Sequence, residues 1–488
     1  MEHIKKLVGQ TAIYGLGTVV PRVLNFLILT PFFTRIFSTA EYGVFSELYA
    51  YVVFLLVLLI YGMETAFFRF TESENDYKKV YSTSIVSLFI TSSVFLVLTN
   101  IYTSQIASLI GYAHNSLYIR LFCLIVAIDA FMAIPFAKLR YLNKALKFGI
   151  IKIINVGINI GLNLFFYLWL PEIIENNPSS IFAVIYNPNM GIGYAFIANL
   201  IASAVTFIVL IPEIFNVSFN FDIKLLKRML KYAFPLLIVG LAGMVNEVLD
   251  KILMKYLVID SVNPMVQVGI YSANYKLAVL MTLYIQMFRY AAEPFFFSRM
   301  KDKNAKELYA DVMKYFVIFG LLIFLGVTLF IDIFKYYIGN DFHSGLGIVP
   351  IVLLANLFLG IIYNLSIWYK LNDKTKYGAY LAIIGAVITL VLNFILVPKI
   401  GYLGAAWATF ICYLSMMILS YFLGQKYYKI KYDLKSIGMY FVIAVLIFFI
   451  KQYINFNSSL INYSFYSFLI IVFMIFVIRK EKMLKYLK

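Results

Sequence analysis

The chain has 488 residues, 62% of them hydrophobic and only 13% charged, whereas soluble domains carry nearer a quarter charged residues. A soluble globular protein is therefore excluded, and the chain is read by membrane spans rather than by domain lengths. The net charge of +17 would suggest nucleic acid in a soluble chain, but here the basic excess sits in short loops between apolar runs. Membrane topology accounts for it, and no nucleic-acid partner is expected. Cys123 and Cys412 both fall inside apolar runs, and His3, His114 and His343 are far apart. That leaves no disulfide framework, no metal cluster and no histidine-based enzyme centre.

The N-terminal MEHIKKLVGQ resembles the basic flank of a signal peptide, but the apolar run behind it continues to about Phe33 and lacks an A-x-A cleavage pattern. It reads as a retained first span. A spanning helix needs about 20 mostly apolar residues, which predicts fourteen spans, at 11–34, 43–63, 82–101, 117–137, 149–170, 191–212, 233–257, 268–292, 313–333, 346–369, 378–397, 403–423, 437–454 and 462–478. With the N-terminus inside, thirty Lys and Arg fall in inner segments and four in outer ones: Arg35, Lys335, Lys399 and Lys451. Inner loops are the basic ones, so both termini are expected in the cytoplasm and the number of spans is even. The inner cluster Lys224, Lys227, Arg228 and Lys231 also attracts anionic lipid, at about 1 kcal/mol per residue.

The chain is organised around 240–297, where two apolar runs flank a short polar hinge containing Pro264. These runs carry Glu247, Asp250, Lys251, Lys276, Arg289 and Glu293. Ionisable groups at membrane depth cost several kcal/mol each and face a bundle interior or a watery cavity, so the hairpin points to movement of something polar across lipid. Two internal echoes place it in a larger repeat. YGVFS at 42–46 returns as VGIYS at 268–272, and YLNK with KFG at 141–149 returns as KLND with KYG at 370–378. The displacements, 226 and 229 residues (43 to 269, 143 to 372), are close to six spans. An even displacement makes the copies parallel repeats about an axis along the membrane normal. The expected fold is an all-α integral membrane protein of about fourteen helices. Two six-helix lobes related by a pseudo-two-fold axis, 1–220 and 221–424, are followed by a helix pair with a basic tail, 425–488.

The pieces EYGVFS at 41–46, GMETAFFR at 62–69, the Asp250-Lys251 pair and VGIYSANYK at 268–276 resemble the polysaccharide-export branch of the multidrug/oligosaccharidyl-lipid/polysaccharide (MOP) exporter superfamily. The resemblance covers nearly the whole chain. It implies a MATE-like fold in a bacterial inner membrane and an O-antigen-type (Wzx-like) flippase, with an undecaprenyl-diphosphate-linked oligosaccharide as substrate. Membrane lipid and other polysaccharide assembly proteins would be its partners.

Five charged residues form the expected substrate-binding set: Arg22, Lys251, Lys276, Asp129 and Asp250. Arg22 follows Pro21 about twelve residues into the first span, roughly 18 Å along the helix and too deep for easy snorkelling. It either meets an anionic substrate group in a cavity or pairs with Asp129, at similar depth in span four. Lys251 and Lys276 lie at comparable depth in spans seven and eight, and Asp250 is positioned to pair with Lys276 as a clamp or as a switching partner. Arg289 and Glu293 are spaced to pair along one helix, and Lys152, near the inner interface, reads as a snorkelling side chain. Asn246, Asp250, Asn393 and Thr409 share the outer third. Their oxygens either bond helices together or hold a coupling Na⁺ or H⁺. Some lipid II flippases of the superfamily have a comparable ion site, and no other cofactor is expected.

Three rival functions stand beside the flippase. A multidrug exporter of the same superfamily would favour net acidic lobes, against which Arg22, Lys251 and Lys276 argue. A polysaccharide polymerase or ligase needs a sizeable outer loop with catalytic groups, yet the longest outer loop, 171–190, holds only Glu172 and Glu175 as charges. The third rival is a scaffold in polysaccharide assembly.

Overall fold

In lipid the backbone must satisfy its own hydrogen bonds, and this chain does so with helices; no strand occurs among the described residues. The computed structural model describes residues 17, 19–74, 76–215, 220–259, 263–300, 302–372, 374–454 and 456–481; at 184, 185, 291, 293, 294, 297 and 298 only the backbone is described. Part of the expected first span (11–16 and 18), Asp373 of the second echo and the Glu293 side chain lie outside the described residues.

The chain divides into two compact units, Met1–Ile252 and Leu253–Lys488. The first holds α1 (Val19–Ile36), α2 (Thr39–Ile60), α3 (Met63–Ser73), α4 (Tyr77–Ile101), α5 (Ser116–Tyr141), α6 (Ala145–Asn176), α7 (Gly193–Phe215) and most of α8 (Ile223–Leu257). The second holds α9 (Pro264–Leu277), α10 (Val279–Arg299), α11 (Ala305–Leu329), α12 (Val349–Leu365), α13 (Lys376–Ile400), α14 (Tyr402–Tyr427), α15 (Leu434–Tyr453) and α16 (Ser459–Lys480). The lobes expected at 1–220, 221–424 and 425–488 follow helix count, whereas the compact units follow packing. Leu225, Met229 and Ala233 of α8 are buried with α3, α4 and α5 in the core of the first unit.

Thirteen helical stretches among the described residues are long and apolar enough to cross a membrane, and they match thirteen of the expected spans. The remaining one, 268–292, is helical but interrupted. The Ala278 N–H bonds to the Tyr275 carbonyl, three residues back, tightening the last turn of α9, and α10 restarts at Val279. At 14 residues α9 is short for a span, and α10 carries Gln286, Arg289 and Glu293. The element ranges repeat as the echoes do. The broken helix α2–α3 returns as α9–α10, displaced by 225 and 226 residues at its ends (39 to 264, 73 to 299), and α4 returns as α11 at 228 (77 to 305, 101 to 329).

The helices are shaped by identifiable residues. Ser38 and Glu41 form a reciprocal capping box at the start of α2. Each π-helical turn, Asn25–Leu29 in α1 and Phe165–Trp169 in α6, ends two residues before a proline, Pro31 and Pro171. Proline has no N–H for the carbonyl four residues back. That carbonyl belongs to Leu27 or Tyr167, inside the widened turn. Between α2 and α3 the chain turns through two left-handed residues, Tyr61 (φ 37°) and Gly62 (φ 73°). A Cβ on Gly62 would lie 3.0 Å from the Ala233 carbonyl oxygen of α8, so both the dihedral and the space require glycine. Gly62→Ala should therefore lower the thermal midpoint in detergent, at a cost of about 1–2 kcal/mol. Gly438→Ala in α15, where nothing lies within 4 Å of the new methyl, should be neutral or stabilising.

Candidate functional site

Helix α7 carries Asn199, Ser203, Thr206 and Glu213 at three- and four-residue steps around Leu210, which places them on one face. Each meets a polar group of a neighbouring helix. The Asn199 amide bonds the Tyr49 hydroxyl on α2, the Ser203 hydroxyl donates to Asp129 Oδ1 on α5 at 2.8 Å, and Asn155 Nδ2 on α6 donates to Thr206 at 2.9 Å. Asp129 thus takes its hydrogen bond from Ser203. Within the same unit the Tyr112 hydroxyl donates to the carboxylate of Glu47, fully buried in α2.

Two cations sit beside this stripe. A Cβ on Gly17 would lie 3.0 Å from the Gly149 Cα. This glycine contact lets the backbones of the first span and α6 approach closely. Arg22 follows five residues after Gly17 and Lys152 three after Gly149, and the two fall within electrostatic reach of each other. Lys152 is also within reach of Asp129, Glu64 and Arg140. Its ammonium lies 3.9 Å from the centroid of the buried Phe136 ring, a cation–π contact that turns it toward the interior of the unit. Arg22 is exposed. Among the described residues neither cation has a carboxylate within 4.0 Å, and Arg140 instead pairs with Glu64. Arg22, Lys152 and Asp129 together give this membrane-embedded surface one net positive charge.

Where the basic distribution places the inner rim, carboxylates are met by lysines. Glu213 receives Lys147 at 2.8 Å, Lys144 at 3.2 Å and the buried Lys138 at 3.5 Å. Lys138 also donates to the Glu213 carbonyl and covers the Tyr81 ring. Lys79 reaches Asp222 at 2.6 Å. The sequence reading did not single out Glu213, Ser203 or Lys152 as parts of a site, although the polar stripe along α7 was there to be found.

On α8, Asn246 and Asp250 are buried one turn apart, and Asp250 Oδ1 accepts from the Lys251 backbone N–H at 2.8 Å and from its ammonium at 3.4 Å. Lys276 is exposed at the end of α9 in the other unit. Arg289 lies 4.1 Å from the Tyr363 ring centroid. In the second unit Thr409 Oγ1 donates to the Ala405 carbonyl at 3.1 Å and Asn393 Nδ2 to the Thr389 carbonyl at 2.8 Å. The fully buried Asn393 Oδ1 has no hydrogen-bond partner among the described residues. Helices α13 and α14 run antiparallel, Gly404 against Leu396 and Val397 and Cys412 against Gly385. This register sets Thr409 level with about Thr389, one turn along α13 from Asn393. The parallel contacts Phe358–Phe410 and Trp368–Ser420 bring Asn356 of α12 to the level of Thr409, buried and with no partner for its Nδ2 among the described residues.

The polysaccharide biosynthesis protein family matches residues 7–300. The chain belongs to this family. Its fold is similar to the lipid II flippase MurJ in an inward closed conformation, with TM-score 0.72 and 19% identity over 96% of this chain and 99% of that one. It is also similar to a multidrug resistance MATE family transporter of the MOP superfamily in its inward-facing conformation, with TM-score 0.66 and 14% identity over 86% of this chain and 97% of that one. No curated protein sequence matches. At these identities the structural matches show the fold, which is the all-α, MATE-like architecture expected from the sequence.

The Lys79–Asp222 tie, in the loop before α8, gives this family member a titration signature. The hydrogen bond from Lys79 holds the Asp222 carboxyl down at about 2. A depressed carboxyl stabilises the folded state above its ordinary range and loses that contribution as pH falls toward its folded value. Carboxyl-carbon NMR should find Asp222 titrating near 2 in the intact protein and returning toward the ordinary carboxylate range in Lys79→Gln.

Proposed function

We propose that the protein is a flippase that carries an undecaprenyl-diphosphate-linked oligosaccharide from the cytoplasmic to the outer leaflet of a bacterial inner membrane, for O-antigen, capsule or exopolysaccharide synthesis. The observation that carries this reading is the pair Arg22 and Lys152, two cations at membrane depth in the first unit with no carboxylate within ion-pairing distance among the described residues. A diphosphate brings about two negative charges, and a low-dielectric wall strengthens its attraction to fixed cations. Asp129, held by Ser203, limits the net charge so that the head group can leave again. The lipid tail stays in the bilayer while the head crosses, and the lobes alternate access without covalent chemistry.

Both termini face the cytoplasm in this account, as the thirty-to-four distribution of basic residues requires. Lys251 with its partner Asp250 in the first unit, and Lys276 in the second, are further candidate substrate contacts. Asn393 and Thr409 in the second unit, and Asn246 and Asp250 on α8 in the first, are the candidate oxygens for a coupling Na⁺ or H⁺. The unpartnered Asn393 Oδ1 supports that assignment, because a buried acceptor without a donor carries a desolvation cost. Other polysaccharide assembly proteins are its partners. The multidrug reading draws on the MATE fold alone, and cationic drugs would be repelled by Arg22 and Lys152.

Arg22→Ala should abolish surface polymer while leaving the protein in the membrane at near-normal abundance, because it breaks no ion pair among the described residues. Arg22→Lys should retain part of the activity. Immunoblots of membrane fractions alongside polymer gels check both, and loss of the protein itself from Arg22→Ala membranes would mean that Arg22 supports the fold rather than the substrate.

A further inference from the structure

A second concentration of charge lies at the span ends of the second unit, and transport as described above does not use it. A cavity of about 320 Å³ opens between the turn after α11, the end of α15 and the start of α16, at the small end of the range for small-molecule sites. Its charged wall is one carboxylate shared by two ammoniums. Asp332 receives Lys335 at 3.3 Å and Lys451 at 3.3 Å. Burial works against ionisation of Asp332, but the Lys451 and Lys335 charges outweigh it and hold the carboxyl below its ordinary range. The triad therefore keeps one net positive charge.

The remaining wall is polar, with the Ser459 and Tyr463 hydroxyls as donors, while the Asn462 amide already bonds the Phe456 backbone. Ser459, Asn462 and Tyr463 line the cavity from the first turn of α16. That 22-residue helix starts without a side-chain cap from Ser458, so its first N–H groups have no intrahelical acceptor and add the positive end of the helix dipole. Tyr336 and Tyr466 complete the wall. A cavity with a surplus ammonium, an uncapped helix start and hydroxyl donors suits an anion with several acceptor oxygens. From the cavity, the charge count and the helix start together we infer that this site binds a phosphoryl anion, carried by a phospholipid head group or free in solution. The basic-residue distribution puts it at the outer interface, where tyrosines gather.

Thermal unfolding of the full-length protein in detergent, titrated with dihexanoyl-phosphatidylglycerol or with inorganic phosphate against chloride at equal ionic strength, tests the site. A saturable upward shift of the midpoint is expected. Response to the lipid alone identifies a head-group site, and response to inorganic phosphate identifies a site for the free ion. Ser459→Asp puts a carboxylate in the cavity while suiting a helix start, so it should fold at least as well and weaken the response roughly tenfold or more. Lys335→Gln should do the same, and it spares Lys451, which also bonds the Thr328 carbonyl at the end of α11. No saturable shift with either probe, or a shift unchanged in Ser459→Asp, would overturn the assignment. The arginine in the first span plays no part in this readout, so the result stands apart from the flippase reading.

Discussion

An ion in a membrane span must be paired, hydrogen-bonded or left facing water, because hydrocarbon supplies none of the hydration it loses. The first unit answers that constraint differently along its length. At the rim, Glu213 is surrounded by Lys138, Lys144 and Lys147, of which Glu213 and Lys138 are buried and Lys144 and Lys147 reach toward the surface. Deeper in, Asp129 has a neutral donor in Ser203 and Lys152 has an aromatic face. Arg22 has neither among the described residues and is exposed. Compensation thus decreases from the rim toward Arg22, and a substrate anion would supply the missing charge there.

The same constraint explains the backbone. Helices close every hydrogen bond they can, and the departures occur where a residue forbids it. Pro31 and Pro171 each widen the turn before them. Tyr61 and Gly62 adopt left-handed conformations where α8 leaves no room for a side chain at 62. These breaks bend the spans without exposing strand-like backbone to lipid.

Thirteen of the fourteen spans were legible from hydropathy because length and apolarity alone decide them. The interruption at Ala278 was not, since it depends on how the turn after Lys276 closes rather than on composition. The repeat was legible in two short echoes, and the matched ranges of α4 and α11 extend it to whole helices. Charge partners were harder. Arg22 and Asp129 sit at one depth by residue count, yet depth does not say which face a side chain takes, and Asp129 bonds Ser203. Glu213 passed unremarked because its lysines lie more than sixty residues earlier in the chain. Lys152 reads as a snorkelling residue from its distance to the interface, but the ring of Phe136 turns it inward.

In the proposed function, fixed cations in a MATE-like fold carry an anionic, lipid-linked glycan. Purified protein reconstituted into proteoliposomes, with a fluorescent undecaprenyl-diphosphate oligosaccharide in one leaflet and a membrane-impermeant quencher or lectin outside, measures this without the rest of the assembly machinery. The account predicts that the wild-type protein moves the label between leaflets, that a matching lipid with no phosphate stays where it was placed, and that a cationic dye loaded inside is retained. Efflux of the dye with no movement of the lipid-linked glycan would contradict it.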